Sequence, residues 1–298
     1  MDVQPAAQII TTSPLILKFA PPFADARTGG RGDPRAQTRQ VLPPLRRRDI
    51  ASLNPAELSR YARQISLENW GREAQERLKS SQVLLAGAGG VATAAAAYLL
   101  AGGLGTLRLV DDSRVSLSDL NHQILFRERD LGKAKALVAQ QRLQEINAFA
   151  QVESQVKGLT EHNLARLAAG CHLLLDASNS SPTGLLLNRA AVKFGLPLVH
   201  AWGWGMNGRL FTVWPGQGPC LACASLDNTS RHRPALLGPL PGILGSLQAF
   251  EALRILGGLR PALLGRVLIF KGKDFQFSER SVPVDPGCPV CRDLFPVP

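Results

Sequence analysis

The segment from Ser80 to Leu107 carries no charged residue, and this feature limits the possible folds of the chain most strongly. Its length would allow a helix to cross a bilayer. The composition changes along the segment, however, because the run Val83 to Ala86 gives way to a glycine cluster and then to alanine-rich sequence as far as Leu100. A buried strand, a turn and a buried helix produce this order, so we expect no membrane span here.

A second apolar run, Leu107 to Val110, ends at Asp111 and completes a β-turn-α-turn-β unit over residues 82–112. Strands in such a unit are buried on both faces, which explains the absence of charge. The sequence therefore predicts an α/β fold, a Rossmann-like doubly wound sheet that is mostly parallel and has an antiparallel portion towards the C terminus. Further predicted elements are strands at 173–176, 196–201, 209–214 and 267–271, and helices at 55–64, 71–80, 132–146 and, with amphipathic character, 245–256.

The turn Gly87-Ala88-Gly89-Gly90 lies between the first strand and the alanine-rich helix. At the carboxyl end of a parallel strand, such glycines let backbone N–H groups approach phosphate oxygens closely. Asp111 follows about twenty residues later, at the position from which a carboxylate accepts hydrogen bonds from ribose hydroxyls. Gly87, Gly89, Gly90 and Asp111 are therefore predicted to bind a nucleotide.

Two classes of enzyme use such a site, namely nicotinamide- or flavin-dependent oxidoreductases and enzymes that use ATP. A dehydrogenase would continue after Asp111 with a helix and a strand, whereas a polar loop over residues 115–123 follows here. Arg127, Lys133 and Lys135 come next and provide cations where a triphosphate would extend. The loop favours ATP, and an oxidoreductase is the more distant alternative.

Residues 1–50 form a basic leader that is rich in proline and glycine. These residues predict a disordered or loosely attached segment, so the nucleotide-binding domain is expected over residues 51–298. The net charge of +11 owes much to the leader, but its arginines are not interleaved with aromatic residues, and we expect no nucleic-acid binding. Lys18 interrupts the apolar stretch Leu15 to Ala20, which excludes a secretory signal there and makes the cytoplasm the expected compartment.

Two Cys-x-x-Cys pairs lie far apart in the sequence, Cys220 with Cys223 and Cys288 with Cys291. The two-residue gap lets both thiolates of a pair bind one tetrahedral ion, and four thiolates predict a closed structural zinc site. Redox dithiols or disulfides are the alternatives, which a reducing cytoplasm disfavours. The fifth cysteine, Cys171, precedes an apolar strand and is expected in the core.

Several short motifs occur in a fixed order along residues 58–291, and together with the cysteine pairs they resemble the ubiquitin-activating-enzyme-like adenylyltransferases. This family includes the bacterial MoeB, ThiF and HesA proteins. The resemblance covers nearly the whole chain except the leader. Its motifs are Arg60-Tyr61-x-Arg63-Gln64, the glycine turn, Leu120-Asn121-x-Gln123, Leu125-Phe126-Arg127, Gly132-Lys133-x-Lys135-Ala136 and Gly245-Ser246-Leu247-Gln248-Ala249.

The resemblance implies a reaction in which the C-terminal carboxylate of a ubiquitin-like or sulfur-carrier protein ending in Gly-Gly attacks the α-phosphorus of ATP. It implies Mg²⁺ with the nucleotide and a structural Zn²⁺. By resemblance, Gly90 meets the phosphates, Asp111 holds the ribose and Lys135 contacts the phosphates during transfer. Arg63 corresponds to an arginine that reaches into the partner subunit's site, so the resemblance also implies a homodimer.

Three positions depart from the family pattern, which commonly has Asn at Asp119, Arg at His122 and Asp at Asn179. Each change weakens the handling of anions or of magnesium, since Asn179 offers one carbonyl oxygen where the family has a full charge. Arg127 and Asp176 are candidates to compensate. A catalytically weakened scaffold that still binds nucleotide or a protein partner is therefore the alternative function.

Relatives that form a thioester carry a further cysteine in or near the loop after the first cysteine pair. The sequence from Ala224 to Gly238 contains none. If the protein is active, we expect the reaction to stop at the acyl-adenylate.

Overall fold

The structure, a computed structural model, describes Leu45 and residues 49–225 and 235–295. All of them lie within the unit that runs from Gln40 to Pro298. The predicted leader, residues 1–50, falls almost wholly outside the described residues, and its character stays a prediction.

An eight-stranded sheet with helices on both faces makes up the described part of the chain. Its strands are β1 (Gln82–Ala86), β2 (Thr106–Val110), β3 (Gln151–Gln155), β4 (Leu173–Asp176), β5 (Leu198–Trp204), β6 (Asn207–Val213), β7 (Arg266–Lys271) and β8 (Gln276–Ser281). The helices are α1 (Pro55–Arg60), α2 (Ala62–Ile65), α3 (Gly71–Lys79), α4 (Gly90–Gly102), α5 (Lys135–Gln144), α6 (Glu161–Ala168), α7 (Ser181–Phe194) and α8 (Pro239–Leu256).

The strand order is β3-β2-β1-β4-β5-β6-β7-β8, in which the strands from β3 to β5 are parallel and β6 to β8 continue the sheet with antiparallel pairing. This confirms the predicted mostly parallel sheet with an antiparallel C-terminal portion. The chain leaves β1 towards β2 on one side, whereas β4 pairs with β1 on the other side. The carboxyl ends of β1 and β4 therefore flank the switch point where open α/β sheets bind ligands.

Two apolar cores cover the two faces of the sheet, because successive side chains of a strand point to opposite sides. Val83 and Leu85 belong to the core formed with α4, α5 and α8, whereas Leu84 and Ala86 belong to the core formed with α6 and α7. In the described part of the chain, no helix combines the length and apolar character needed to span a bilayer.

Helix α8 differs from its predicted form, since it begins at Pro239 rather than at Gly245 and is not amphipathic. Its polar residues Gln248 and Glu251 are buried. It packs closely on α4 because Gly245 faces the carbonyl oxygen of Val91, with which a Cβ would clash. Most residues of both helices are buried, whereas Tyr98 of α4 and Phe250 of α8 are exposed.

The predicted helix at 55–64 forms as two short helices that meet at Tyr61. The start is confirmed, because Asn54 Oδ1 accepts a hydrogen bond from Glu57 N and the Glu57 carboxylate accepts one from Asn54 N, each at 2.9 Å. The Tyr61 ring is buried, and its hydroxyl accepts a hydrogen bond of 2.8 Å from Asn147 Nδ2. Burial of this ring fixes the position of the break.

Candidate functional site

The glycine turn joins β1 to α4 at the carboxyl edge of the parallel strands, as predicted. Gly87 has a φ of +100°, and a Cβ there would lie 2.9 Å from the carbonyl oxygen of Ala177, in the loop after β4. Both observations require glycine. Gly89 is the N-cap of α4 and provides no side-chain cap, so the first N–H groups of the helix have no intrahelical acceptor. Such a helix start favours an anion.

Asp111 follows β2 and fixes the turn in place through its carboxylate. Its Oδ2 atom accepts a hydrogen bond of 2.7 Å from Ala88 N. Its Oδ1 atom accepts one of 2.7 Å from Ser113 N and a second, short one from the Ser113 hydroxyl. The predicted ribose ligand therefore lies directly beside the predicted phosphate turn, and Ser113 is a part of the site that the sequence did not indicate.

A cavity of about 360 Å³ opens at this edge of the sheet. It brings together the residues predicted to bind the cofactor, which come from the loops after β1, β2 and β4 and from α5. The predicted residues that line it are Gly87, Gly89, Gly90, Asp111, Lys135 and Asn179, and the altered positions Asp119 and His122 line it as well.

Lys135 is the first residue of α5 and is only 3% exposed. Its Nζ atom lies 2.9 Å from Asp119 Oδ2, so the two side chains form a buried ion pair. Asp119 is 4% exposed and also accepts hydrogen bonds of 2.8 Å from Ser116 N, from the Ser116 hydroxyl and from Gln123 Nε2. The lysine predicted to contact phosphate is therefore held by a carboxylate in this structure.

The ionised form of Asp119 is favoured in this environment. Burial alone would raise the pKa of the carboxyl, but the hydrogen bonds from Ser116 and the ammonium group of Lys135 outweigh burial and hold the pKa below its ordinary value. The Ser116-x-x-Asp119 spacing is a capping-box pattern, which indicates in the sequence alone that this carboxylate folds back towards Ser116. It does not indicate the contact with Lys135.

Asn179 has a left-handed backbone, with a φ of +51°, which asparagine adopts more readily than most residues. Its side-chain amide forms two hydrogen bonds with the backbone of Gly203: Oδ1 accepts from Gly203 N at 3.1 Å, and Nδ2 donates to Gly203 O at 3.2 Å. The oxygen predicted to bind Mg²⁺ is uncharged and already accepts a hydrogen bond. The residue is thus a poor fit for a hard divalent cation.

The other altered position, His122, is engaged by its chain neighbours. Its Nδ1 atom lies 2.5 Å from Asn121 Oδ1, and its Nε2 atom lies 3.3 Å from Gln123 Nε2. The imidazole thus contributes to the wall of the cavity rather than reaching across it as a longer arginine side chain would.

The two candidates for compensation lie outside the described cavity wall. Arg127 Nη1 donates to the carbonyl oxygens of Ile124 and Phe126 at 2.7 and 3.0 Å, which turns the guanidinium back onto its own loop. Asp176 is buried, with Oδ2 lying 2.7 Å from His200 Nδ1 and Oδ1 accepting from the Ser178 hydroxyl at 2.6 Å. The structure therefore does not support compensation by either residue.

Arg63 lies in α2 with an exposed side chain, and it is not among the described residues that line the cavity. One chain alone does not bring this predicted catalytic residue to Lys135. An exposed position is compatible with action in a partner subunit, which stays a prediction.

The four paired cysteines come together on the α6–α7 face of the sheet, where one pair follows β6 and the other follows β8. Their ligand atoms all lie within 4.8 Å of one another. The Cys220 Sγ atom is 4.0 Å from that of Cys223 and 3.7 Å from that of Cys288, and the Sγ atoms of Cys223 and Cys291 are 3.4 Å apart. The predicted cluster of four cysteines is confirmed.

This cluster fits zinc. A tetrahedral ion with bonds of about 2.3 Å to sulfur needs sulfur atoms about 3.8 Å apart, close to the separations found. Burial and the neighbouring sulfurs raise the pKa of Cys291, so the thiolate form of this residue is favoured only when a cation lies beside it. The thiol of Cys171 lies apart from the cluster and is buried, as predicted, and burial raises its pKa to about 11.

Comparison with known proteins shows the family of the chain. The model of the ThiF family matches residues 61–290. The sulfur carrier protein adenylyltransferase of Thermus thermophilus is 38% identical over 248 residues, which cover 80% of this chain and 92% of that protein. The sulfur carrier protein ThiS adenylyltransferase of Escherichia coli is 37% identical over 246 residues, with 80% and 97% covered.

A solved structure shows the same fold at lower sequence identity. Escherichia coli MccB, crystallised with AMPCPP and MccA, matches with a TM-score of 0.70 and 21% identity, and the match covers 78% of this chain and 74% of that one.

Proposed function

The chain belongs to the ThiF family, and we propose that it is an ATP-dependent adenylyltransferase acting on the C-terminal carboxylate of a small ubiquitin-like or sulfur-carrier protein. One observation carries this proposal, namely the cavity in which the free N terminus of α4, the Asp111 carboxylate and the Lys135 ammonium group converge. The names of the relatives, which include a ThiS adenylyltransferase, support the choice of a carrier protein as substrate.

In this proposal the nucleotide spans the cavity from the ribose to the phosphates. Asp111 accepts a hydrogen bond from a ribose hydroxyl with the one Oδ2 lone pair that Ala88 N leaves unused, since Ser113 occupies both lone pairs of Oδ1. The α-phosphate lies against Gly89 and Gly90, where the N–H groups and dipole of α4 favour negative charge. Lys135 then neutralises charge that develops on the phosphates, provided that its ammonium group leaves Asp119.

The chemical step needs no general base. A C-terminal carboxyl group has an ordinary pKa of about 3.5, so the nucleophile is already ionised at neutral pH. One carboxylate oxygen forms a bond to the α-phosphorus, the bond from that phosphorus to the bridging oxygen of the β-phosphate breaks, and pyrophosphate leaves with the electron pair. Catalysis consists of aligning the two anions and neutralising them.

Mg²⁺ is expected to enter with the phosphates of ATP, and it would neutralise part of their charge. Because Asn179 fits a divalent cation poorly, we assign no step to a magnesium ion held by the protein. Arg63 is proposed to act in the site of the partner in a homodimer, where it would add a cation that one chain lacks.

The reaction is proposed to end at the acyl-adenylate. The sequence between Ala224 and Gly238 offers no cysteine for a thioester. The thiol of Cys171 is buried in the α6–α7 core, and its raised pKa keeps it protonated at neutral pH. The four remaining cysteines would hold Zn²⁺, which closes the C-terminal part of the fold and takes no part in the reaction. Cysteine pairs that bind a metal instead of forming disulfides are typical of a reducing cytoplasm, which is the expected location.

Exchange of labelled pyrophosphate into ATP tests the proposal, with purified protein and a small carrier protein that ends in Gly-Gly. We expect exchange that depends on the carrier and falls by at least about a hundredfold in Lys135→Met. The same carrier lacking its last two residues is the control and should give no exchange. Absence of exchange with the intact carrier, in protein that binds ATP, would contradict the proposal.

A second candidate, a catalytically weakened scaffold, is favoured by the pairing of Lys135 with Asp119 and by the uncharged side chain at Asn179. Such a protein would bind nucleotide or the carrier without transferring the adenylyl group. Tight binding of both, together with no exchange, is the result that distinguishes it.

A further inference from the structure

The charges that face the cavity are unusual for a site that receives a polyphosphate. Among the described residues of its wall, Asp111 and Asp119 are carboxylates and Lys135 is the counterpart cation, with His122 as a further titratable group. Asp111 already accepts hydrogen bonds from the turn, so the net charge at the end of the cavity where the phosphates would lie depends on Asp119 and Lys135. We infer that Asp119 restrains Lys135, so that the site binds ATP only slightly more tightly than it binds adenosine. This inference rests on the proposed nucleotide-binding function.

The geometry supports a restraint rather than a chance contact. Both side chains are almost fully buried, and their ion pair has a separation of 2.9 Å. Asp119 cannot easily turn away, because its two oxygens also receive hydrogen bonds from Ser116 and Gln123. A phosphate that recruits Lys135 must therefore compete with a carboxylate that is already in place, or accept a buried negative neighbour.

The same network accommodates removal of the charge. In Asp119→Asn the amide oxygen would keep the hydrogen bonds from Ser116. The amide group would face Gln123, whose Oε1 atom is buried and has no hydrogen-bond partner among the described residues. A turn of the Gln123 amide would let that oxygen accept a hydrogen bond from the substituted amide. The substitution thus removes a charge and keeps the hydrogen bonds from Ser116, whereas the turned Gln123 amide gives up its 3.3 Å contact with His122 Nε2.

Calorimetric titration of the full chain with adenosine, AMP and ATP tests the inference. For wild type we expect ATP to bind no more than about tenfold tighter than adenosine, because the free energy released by the phosphates is spent on separating the ion pair. In D119N the ratio of the two affinities should rise by at least about tenfold, the effect of freeing one charged hydrogen-bond donor. The affinity for adenosine itself should stay unchanged.

Two variants serve as controls. D112N also removes one negative charge, but from an exposed residue that follows Asp111 and is not part of the described cavity wall. Its ratio of ATP affinity to adenosine affinity should equal that of wild type. In the K135M background, D119N should no longer raise the ratio, since the cation that it frees is absent. A purely structural role of Asp119 would change adenosine and ATP binding together.

The outcomes separate this inference from the proposed function. An unchanged ratio in folded D119N, a weaker affinity for ATP, or a wild-type preference above about tenfold overturns the restraint and leaves the adenylyltransferase proposal standing. If D119N does not fold, D119S removes the carboxylate and keeps a hydroxyl acceptor for the same comparison. Failure of wild type to bind any of the three ligands overturns both proposals.

Discussion

Substitution of Gly89 by alanine tests whether phosphates approach the N terminus of α4. Gly89 has a φ of −80°, which any residue adopts, and the nearest heavy atom to an added Cβ is Gln123 Nε2 at 3.8 Å. The methyl group therefore fits without displacing protein atoms. At an N-cap the change from glycine to alanine costs about 1 kcal/mol or less, so the variant should fold like wild type.

The same methyl group occupies the wall of the cavity where the phosphates would lie. It would prevent one charged hydrogen bond between a phosphate oxygen and the helix start, which is worth about 1.5–3 kcal/mol. We therefore expect the affinity for ATP to fall by about ten- to a hundredfold. The affinity for adenosine, measured by the same calorimetric titration, should change by less than about threefold, because the base and ribose lie beyond the methyl group.

Gly87→Ala is the matched control for an effect on folding. Its left-handed backbone costs about 1–3 kcal/mol with any other residue, and the 2.9 Å approach to the Ala177 carbonyl adds about 1–3 kcal/mol. Thermal unfolding followed by circular dichroism should show a midpoint lowered by at least about 5 °C in G87A and nearly unchanged in G89A. Normal ATP affinity in folded G89A would refute the proposed phosphate position.

Three further predictions concern the partner subunit, the metal and acid stability. Mixing inactive Arg63→Ala with inactive Lys135→Met should restore about one quarter of wild-type pyrophosphate exchange, since half of the dimers are mixed and each has one complete site; no recovery would exclude action across the interface. Cys288→Ser should lose its bound zinc in atomic absorption and unfold at lower temperature, and full zinc retention would contradict the four-cysteine site. Burial would raise the pKa of Asp130, but the backbone N–H of Arg127 and the Arg142 guanidinium outweigh burial and lower it. The ionised Asp130 carboxylate therefore stabilises the fold above about pH 4, and this stabilisation is lost as the pH falls further. D130N should lower the free energy of unfolding at pH 7 more than at pH 3.

The parts of the fold that the sequence predicted are those with a strong burial signal. β1, β4 and α4 are buried nearly throughout, so their apolar runs and flanking glycines define them locally. β8 was not predicted because all of its residues are exposed, and only its pairing with β7 makes it a strand. The sequence does not predict α7, because Pro182 and Gly184 near its start are residues that usually interrupt helices. In the structure proline lies in the first turn, which it tolerates, and Gly184 leaves room for the Asp176 side chain.

Where a contact is local or follows from strand order, the sequence indicates which residues of the candidate site lie together. The turn and Asp111 meet because β1 and β2 are adjacent and parallel. The cysteine pairs meet because β6 and β8 both run antiparallel to β7, so the segments that follow them leave the sheet at the same edge. The pairing of Asp119 with Lys135 depends on how a polar loop folds against α5, and hydrophobic periodicity carries no information on that. For the same reason the sequence does not indicate that the Arg127 guanidinium folds back onto its own loop.

Intact-protein mass spectrometry of the carrier tests the central claim most directly. A carrier ending in Gly-Gly is incubated with the protein, ATP and Mg²⁺, and a carrier with an amidated C terminus is the control. We predict that the intact carrier gains one adenylyl group, without a covalent bond to any cysteine of the enzyme, and that the amidated carrier gains none. An unmodified carrier, in a reaction where the protein binds both ATP and carrier, would contradict the adenylyltransferase assignment and favour the scaffold.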